Sequence, residues 1–416
     1  MTTAVQYQNR WESGVLNALG FLFLPVAVLA TAQVWVPAVL GVLGILAVRI
    51  FHGRFALGTN KYLMLLMTLF IGWAAATSLW AINPDRAITT TLRVALVCIS
   101  VVVLIDARNR LEEAQRRKFG YWLAGGTVIG FILTGALILT SGSGLFGESH
   151  LTGYVIDDLN RTSSAIALLV WPVAFVVARY WNRLAAAAVI VLGALYLFLL
   201  APSTPLVAFG VGLAAFVIGR ISNSQGKRFL LLLFAAAVVI VPFLGVLEPP
   251  LIDFLSTNLP FPQSEIHRIV IWQFAAERIF EQPLFGWGLD AARAIPGGKE
   301  KLFLFMFNGA PETAQAMPLH PHNAMIQIWL ELGLVGVALV GAIYFLIVAS
   351  IPESRTERAG PAMLIATTAC AFTVAELGFG IWQGWWMATL GIVAVISMTV
   401  VTTGTPAPNS INANAA

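Results

Sequence analysis

Apolar stretches long enough to cross a bilayer recur along almost the whole chain, each closed by charged residues or by proline and glycine. A helix needs roughly 20 predominantly apolar residues to span the hydrocarbon core. Twelve runs of about that length lie near 14–32, 34–51, 61–80, 91–106, 120–140, 163–179, 185–201, 204–219, 229–246, 322–350, 360–380 and 384–402. Between the ninth and tenth is the one long connection, 247–321. A connection of that length is seldom structureless. Within it, SEIHRIVIWQFAAERIFE predicts an amphipathic helix over 264–281, with Ser264 as N-cap and Ile266, Ile269, Val270, Phe274 and Ile279 at helical spacing. Pro283, Gly286 and Gly288 then end it. The expected organisation is nine transmembrane helices over 1–246, a large loop over 247–321, three more helices over 322–402 and a disordered tail over 403–416.

Composition agrees with this pattern. The 416 residues are 58% hydrophobic and 11% charged, with a mean hydropathy of +0.83, so lipid rather than a single buried core must take up the apolar surface. Backbone in lipid has to satisfy its hydrogen bonds internally, which makes the expected fold class an all-α polytopic membrane protein. The net charge of +4 points to topology and not to nucleic acid, because the basic residues cluster in short loops. Sixteen of the 24 lie on the side of the termini and three in short loops opposite, which predicts cytoplasmic termini and a loop 247–321 outside the cytoplasm. The polar start MTTAVQYQNRWESG carries no cleavage pattern, so the first helix is expected to be retained.

Chemistry concentrates where the long loop meets the tenth run, in LHPHNAMIQIWLELGLVGVALV. Asn323, Gln327 and Glu331 recur every four residues and form one polar stripe, with Glu331 about 12 Å below Asn323 along the axis. An ionisable group at that depth is costly unless it faces a partner or a wet cavity, so the stripe points to a polar cleft opening outward, with bonds to neighbouring helices as the alternative. His320 and His322 stand at the mouth, where an imidazole with a pKa near roughly 6.5 can serve as a general base. Arg161 and Arg268 mark helix entrances and suit phosphate oxygens, although headgroups or Asp157, Asp158 and Glu265 would satisfy them equally. Asp157 and Asp158 alone are a weak sign of Mg²⁺. Trp382, Trp385 and Trp386 read as an interfacial aromatic belt. Cys98 and Cys370 have no disulfide or thiolate-metal spacing, no Walker A loop offers ATP a site, and no ligand spacing implies a metal. A transporter or flippase is the rival class, and the lack of a long internal repeat counts against it.

HPHNAMIQIWLELGLVG and RIVIWQFAAERIFEQPLFGWG together resemble the O-antigen ligase and polymerase superfamily of bacterial envelope glycosyltransferases. The matching positions are His320, His322, Asn323, Gln327, Glu331, Gly333 and Gly336 in the first segment, and Arg268, Trp272, Pro283, Gly286 and Gly288 in the second. The resemblance implies a GT-C-like bundle in the bacterial inner membrane with a periplasmic active site. It implies an inverting, metal-independent transfer of a glycan from undecaprenyl pyrophosphate to a lipid A-core hydroxyl, with no cofactor, nucleic acid or ATP. Polymerase and protein glycosylation activities remain alternatives within the same chemistry. His322, Arg268 and Arg161 are the catalytic residues so implied, and His320, Asn323, Gln327, Glu331, Trp272 and Arg293 are expected to contact substrate.

Overall fold

The computed structural model describes residues 3–52, 60–140, 152–200, 203–240, 263–307, 310–354 and 356–401, together with Gly58 and Phe243. Nine helices come first: α1 (Thr3–Leu29), α2 (Trp35–Phe51), α3 (Lys61–Ala76), α4 (Pro84–Asn109), α5 (Glu113–Thr140), α6 (Thr152–Tyr180), α7 (Arg183–Leu200), α8 (Ser203–Ile221) and α9 (Asn223–Ile240). The loop region contributes α10 (Gln263–Glu281) and the strands β1 (Lys301–Phe307) and β2 (Ala310–Gln315). α11 (Ala324–Ser350), α12 (Ala359–Leu377) and α13 (Gly384–Val400) complete the chain. Among the described residues, eleven of these helices are long and apolar enough to cross a membrane, and α13 is a shorter apolar one. The chain is an all-α, multi-pass membrane protein. The expected loop portion 247–262 and tail 403–416 lie outside the described residues.

Two helices are central: 83% of the α6 span and 72% of the α12 span are buried, against 17% for α3, α7 and α9. α6 lies against α7 and α12, and α12 lies against α8, so the elements that carry Arg161 and lead into Gly378 sit where the bundle is driest. Lipid-facing sides stay apolar, as Leu92, Leu96 and Ile99 show along α4.

Some expectations change. α4 begins at Pro84 rather than near 91, because Asn83 caps it by accepting from the Arg86 amide and proline occupies the first turn. Arg86 and Arg93 are therefore helical and not loop residues, and Arg161 likewise lies inside α6. Arg49, expected in a solvated loop, is 1% exposed and pairs with Glu12 and Asp106, each at 2.8 Å. α10 starts at Gln263, which puts Ser264 in the first turn and not at the cap. Besides the helix expected in it, the loop region folds an antiparallel strand pair. Leu302 and Leu304 turn toward Ile266 and Val270 of α10 while Phe303 faces outward, so β1 follows a two-residue alternation that its continuous apolar run concealed.

α11 is two helices joined at Gly333, whose φ of 63° and ψ of −165° are non-helical. The break releases backbone groups, and the 283–288 segment takes them up. Trp287 and Gly288 amides donate to the Leu330 and Glu331 carbonyls at 2.9 Å, while the Leu334 amide donates to Pro283 O at 2.9 Å. Trp73 Nε1 donates to Leu332 O and Trp80 Nε1 to Gly286 O, both at 3.1 Å. Non-helical backbone of this kind survives in a membrane protein only when protein satisfies it. A Cβ at Gly333 would stand 2.4 Å from Leu284 O, so backbone conformation and close approach both require glycine here. Gly333→Ala is expected to cost about 2 kcal/mol or more, whereas Gly72→Ala in α3, where nothing lies within 4 Å, is expected to be neutral or slightly stabilising. Thermal unfolding in detergent, measured on both variants, checks the contrast.

A candidate active site at the loop end of the bundle

His320, Pro321, His322 and Asn323 form the turn into α11. Asn323 is its N-cap, accepting from the Ile326 amide at 2.8 Å. Trp272, from α10, donates its indole N–H to Pro321 O at 2.7 Å and so pins the histidine turn to the loop helix. His322 adopts a φ of 54°, a left-handed conformation that a side chain occupies at some cost and that tends to mark functional turns. Its Nδ1 lies 2.7 Å from Gly378 O. A carbonyl only accepts, so in the neutral ring Nδ1 carries the proton and Nε2 is the basic nitrogen.

His320 is different. It is buried, its Nδ1 faces the His322 amide at 3.3 Å, and its Nε2 faces Gln383 Nε2 at 3.1 Å. Gln383 is oriented by Trp385, whose indole donates to Gln383 Oε1 at 2.8 Å. A neutral imidazole accepts at one nitrogen only, so it takes a hydrogen bond from one of these two donors, and protonating the ring would break that bond. Burial, then His322, Arg293 and Arg268, push the His320 pKa down to about 3. His320 therefore stays neutral at any physiological pH, and half-buried His322 is the accessible imidazole, 4.2 Å from it between ring centroids.

The arginines surround this pair. Arg161 reaches in from α6 with its guanidinium carbon 5.4 Å from the centre of the Trp385 ring. Arg268 contacts Thr204 Oγ1 at 3.5 Å, and Thr204 in turn donates to Leu377 O, one residue before the carbonyl that orients His322. Arg293 stands 4.0 Å from Asp290, which also meets Arg86 at 3.6 Å and the Thr90 hydroxyl at 3.0 Å. Cationic side chains from separate elements thus converge here, Arg268 and Arg293 near enough to act on His320 and Arg161 through the tryptophan that orients Gln383.

The polar stripe faces protein. Glu331 is fully buried, and every polar group that meets it donates: Gln327 Nε2 at 3.0 Å, Trp382 Nε1 at 2.6 Å, and the Asp290 and Ala292 amides at 2.6 and 3.3 Å. Gln327 also accepts from the Ile381 amide at 3.0 Å. Between them these two residues fasten the 290–292 segment and the 381–383 turn to the helix that His322 begins. The expectation of a cleft lined by Glu331 is corrected accordingly, since burial closes it off. The aromatic belt is corrected too: Trp382, Trp385 and Trp386 are all buried, and the first two belong to the site's support. Sequence reasoning missed Thr204, the Gly378 carbonyl and Gln383; three tryptophans within five residues were the only signal for the last. The side chains of Asp157, Asp158 and Glu265, weighed as partners for the arginines, lie outside the described residues.

Two outcomes are expected. Glu331→Gln turns an amide N–H toward a donor, and each buried donor left unmatched costs roughly 1–3 kcal/mol, so the variant should unfold at a lower temperature than the wild-type protein and become protease-sensitive at 283–300. Second, the unfolded chain protonates His320 near pH 6.5 while the folded chain resists until about 3. Stability contributed by the neutral ring is thus lost as pH falls through that window, by at most about 1.4 kcal/mol per unit. His320→Gln should flatten the melting temperature between pH 7 and pH 5.

Residues 188–341 match the O-antigen ligase family, a stretch that includes α10, the histidine turn and most of α11. Relatives run further along the chain. A Rickettsia conorii protein named "putative polysaccharide ligase" is 25% identical over 341 residues, covering 80% of this chain and 78% of its own. Proteins of the same name from Rickettsia felis and Rickettsia typhi are each 23% identical, over 346 and 342 residues, with 80% of this chain and 79% of theirs aligned. The resemblance seen in the two loop-end segments therefore agrees with the similarity to the O-antigen ligase family over residues 188–341 of this multi-pass membrane protein.

Proposed function

We propose that the protein is an inverting glycosyltransferase of the O-antigen ligase type, moving a glycan from undecaprenyl pyrophosphate to a lipid A-core hydroxyl at the periplasmic face of the inner membrane. The observation that carries the proposal is the His322 Nδ1 contact to Gly378 O, which leaves Nε2 as the proton acceptor, next to a His320 on which Arg268 and Arg293 act. In this reading Nε2 removes the proton from the acceptor hydroxyl as its oxygen bonds to the anomeric carbon from the face opposite the leaving group. The bond from that carbon to the pyrophosphate oxygen breaks, and the electron pair leaves with undecaprenyl pyrophosphate. Arg161 and Arg268 hold the departing oxygens and stabilise their growing charge, with Arg293 close enough to assist. The donor is already activated, so no ATP is required, and guanidinium groups do what a metal ion does in other phosphate sites. His320, Trp272, Asn323 and Gln327 hold the imidazole in place.

The test is transfer by purified protein supplied with lipid-linked donor and lipid A-core acceptor. His322→Ala is expected to lower turnover by about 10²-fold or more with the fold intact, and Arg268→Lys to lower it because one point charge replaces a bidentate fork. Transfer unaffected by His322→Ala removes the base from the mechanism. Movement of lipid without a new glycosidic bond removes the whole reading in favour of a transporter. Transfer to a second repeat unit or to a protein hydroxyl, and not to lipid A-core, reassigns the acceptor.

A further inference from the structure

Two apolar grooves descend the bundle from either side of the turn that joins α12 to α13. One, with a volume of about 420 Å³, begins at Ala324, Glu376 and Ile381 and runs as far as Pro352 and Val401, the full thickness of the bundle. The other, of about 330 Å³, lies between α2, α4 and α13 and is lined by Trp35, Arg93, Val97, Leu104, Gly384 and Ile392. Trp35 and Leu96 on its rim are 41% and 50% exposed, so it opens sideways to lipid.

The second groove is short and has a charged head. From Arg93 to Leu104 the α4 backbone rises about 16 Å, half of a hydrocarbon core of roughly 30 Å, which is the length of one leaflet. Arg93 is exposed and has no ion-pair partner among the described residues. A guanidinium on the lipid side of a helix is costly unless it reaches an anion, and its stem is long enough to reach the level of headgroup phosphates. The stem runs beside the start of α13, with Arg93 Cδ 3.5 Å from where a Cβ of residue 384 would stand. Gly384 is also the link to the candidate active site: Gln383 before it reaches His320, and Trp385 after it carries Arg161.

We propose that this groove seats the lipid anchor of the acceptor, a phosphorylated glycolipid of the leaflet facing the site. One acyl chain lies along Val97 and Leu104, a phosphate pairs with Arg93, and the sugar headgroup is carried past Gly384 toward His322. The proposal rests on the glycosyltransferase reading for its choice of acceptor. It also gives that reading a geometry, because two lipid-borne substrates approach one turn from opposite sides.

The test uses the full chain in phosphatidylcholine nanodiscs that contain a trace of lipid A with a photoactivatable acyl chain. Labelling is expected on α4 and α13 between the levels of Arg93 and Leu104. It should fall about tenfold, as loss of a charge-assisted contact implies, both in Arg93→Ala and when the phosphates are removed from the probe. Arg93→Lys should keep most of it, and His322→Ala all of it. In turnover, Arg93→Ala should raise the acceptor KM about tenfold and leave the donor KM unchanged. Equal labelling by the phosphate-free probe, or by photoactivatable phosphatidylglycerol, shows an ordinary annular lipid and overturns the proposal. If wild-type protein transfers no glycan, the labelling still decides the groove, so failure of the activity and failure of the site are read separately.

Discussion

A transmembrane helix cannot be interrupted for free: each amide and carbonyl released by the break must find another partner, because hydrocarbon supplies none. The interruption of α11 at Gly333 is the constraint on which this architecture turns. The 283–288 segment is drawn in against the opened helix to satisfy it, and once there it is held by two tryptophans from α3 and its flank. Glu331, two residues before the break, does the same for side-chain and backbone donors of the segments that follow. A long extramembrane loop thereby acquires a fixed seat on the bundle, and Arg268 and Arg293, which belong to that loop, acquire fixed positions relative to His322.

The site built on this seat separates two histidines of similar sequence context. His320 is enclosed and held neutral, so it serves as a wall against which the next imidazole is set. His322 donates one ring N–H to a backbone carbonyl, which leaves the other nitrogen as the basic one. Strain at its backbone is supported by Trp272 on one side and by the Asn323 cap on the other. Positive charge reaches the same place from α6 and, far along the chain, from α10 and the segment after it.

Much of this was legible in the sequence. All twelve apolar runs are helices, because crossing a bilayer demands a length and a polarity that composition cannot disguise. α10 was equally plain from its periodicity. What escaped was whatever depends on partners far along the chain. The pattern of Asn323, Gln327 and Glu331 showed that one face of a helix was polar but not whether water or protein met it. Arg49 looked like a loop charge until Glu12 and Asp106 came beside it. Trp382 and Trp385 looked like interfacial anchors because a tryptophan bonded to a buried carboxylate or amide has the same local sequence as one that floats among headgroups. β1 was hidden by an apolar run whose period no window of that length resolves.

The Arg49 cluster, at the end of the bundle away from the site, bears on how the molecule keeps its shape. One guanidinium is shared between carboxylates from α1 and α4, so sliding any of the three helices by a single residue would strand a charge in a medium that solvates it poorly. That lock sets the vertical alignment of α2 against α4, and the two helices are walls of the Arg93 groove. A distant cluster thus gauges the depth at which a lipid can sit, much as a keel sets the trim of a hull from below the waterline.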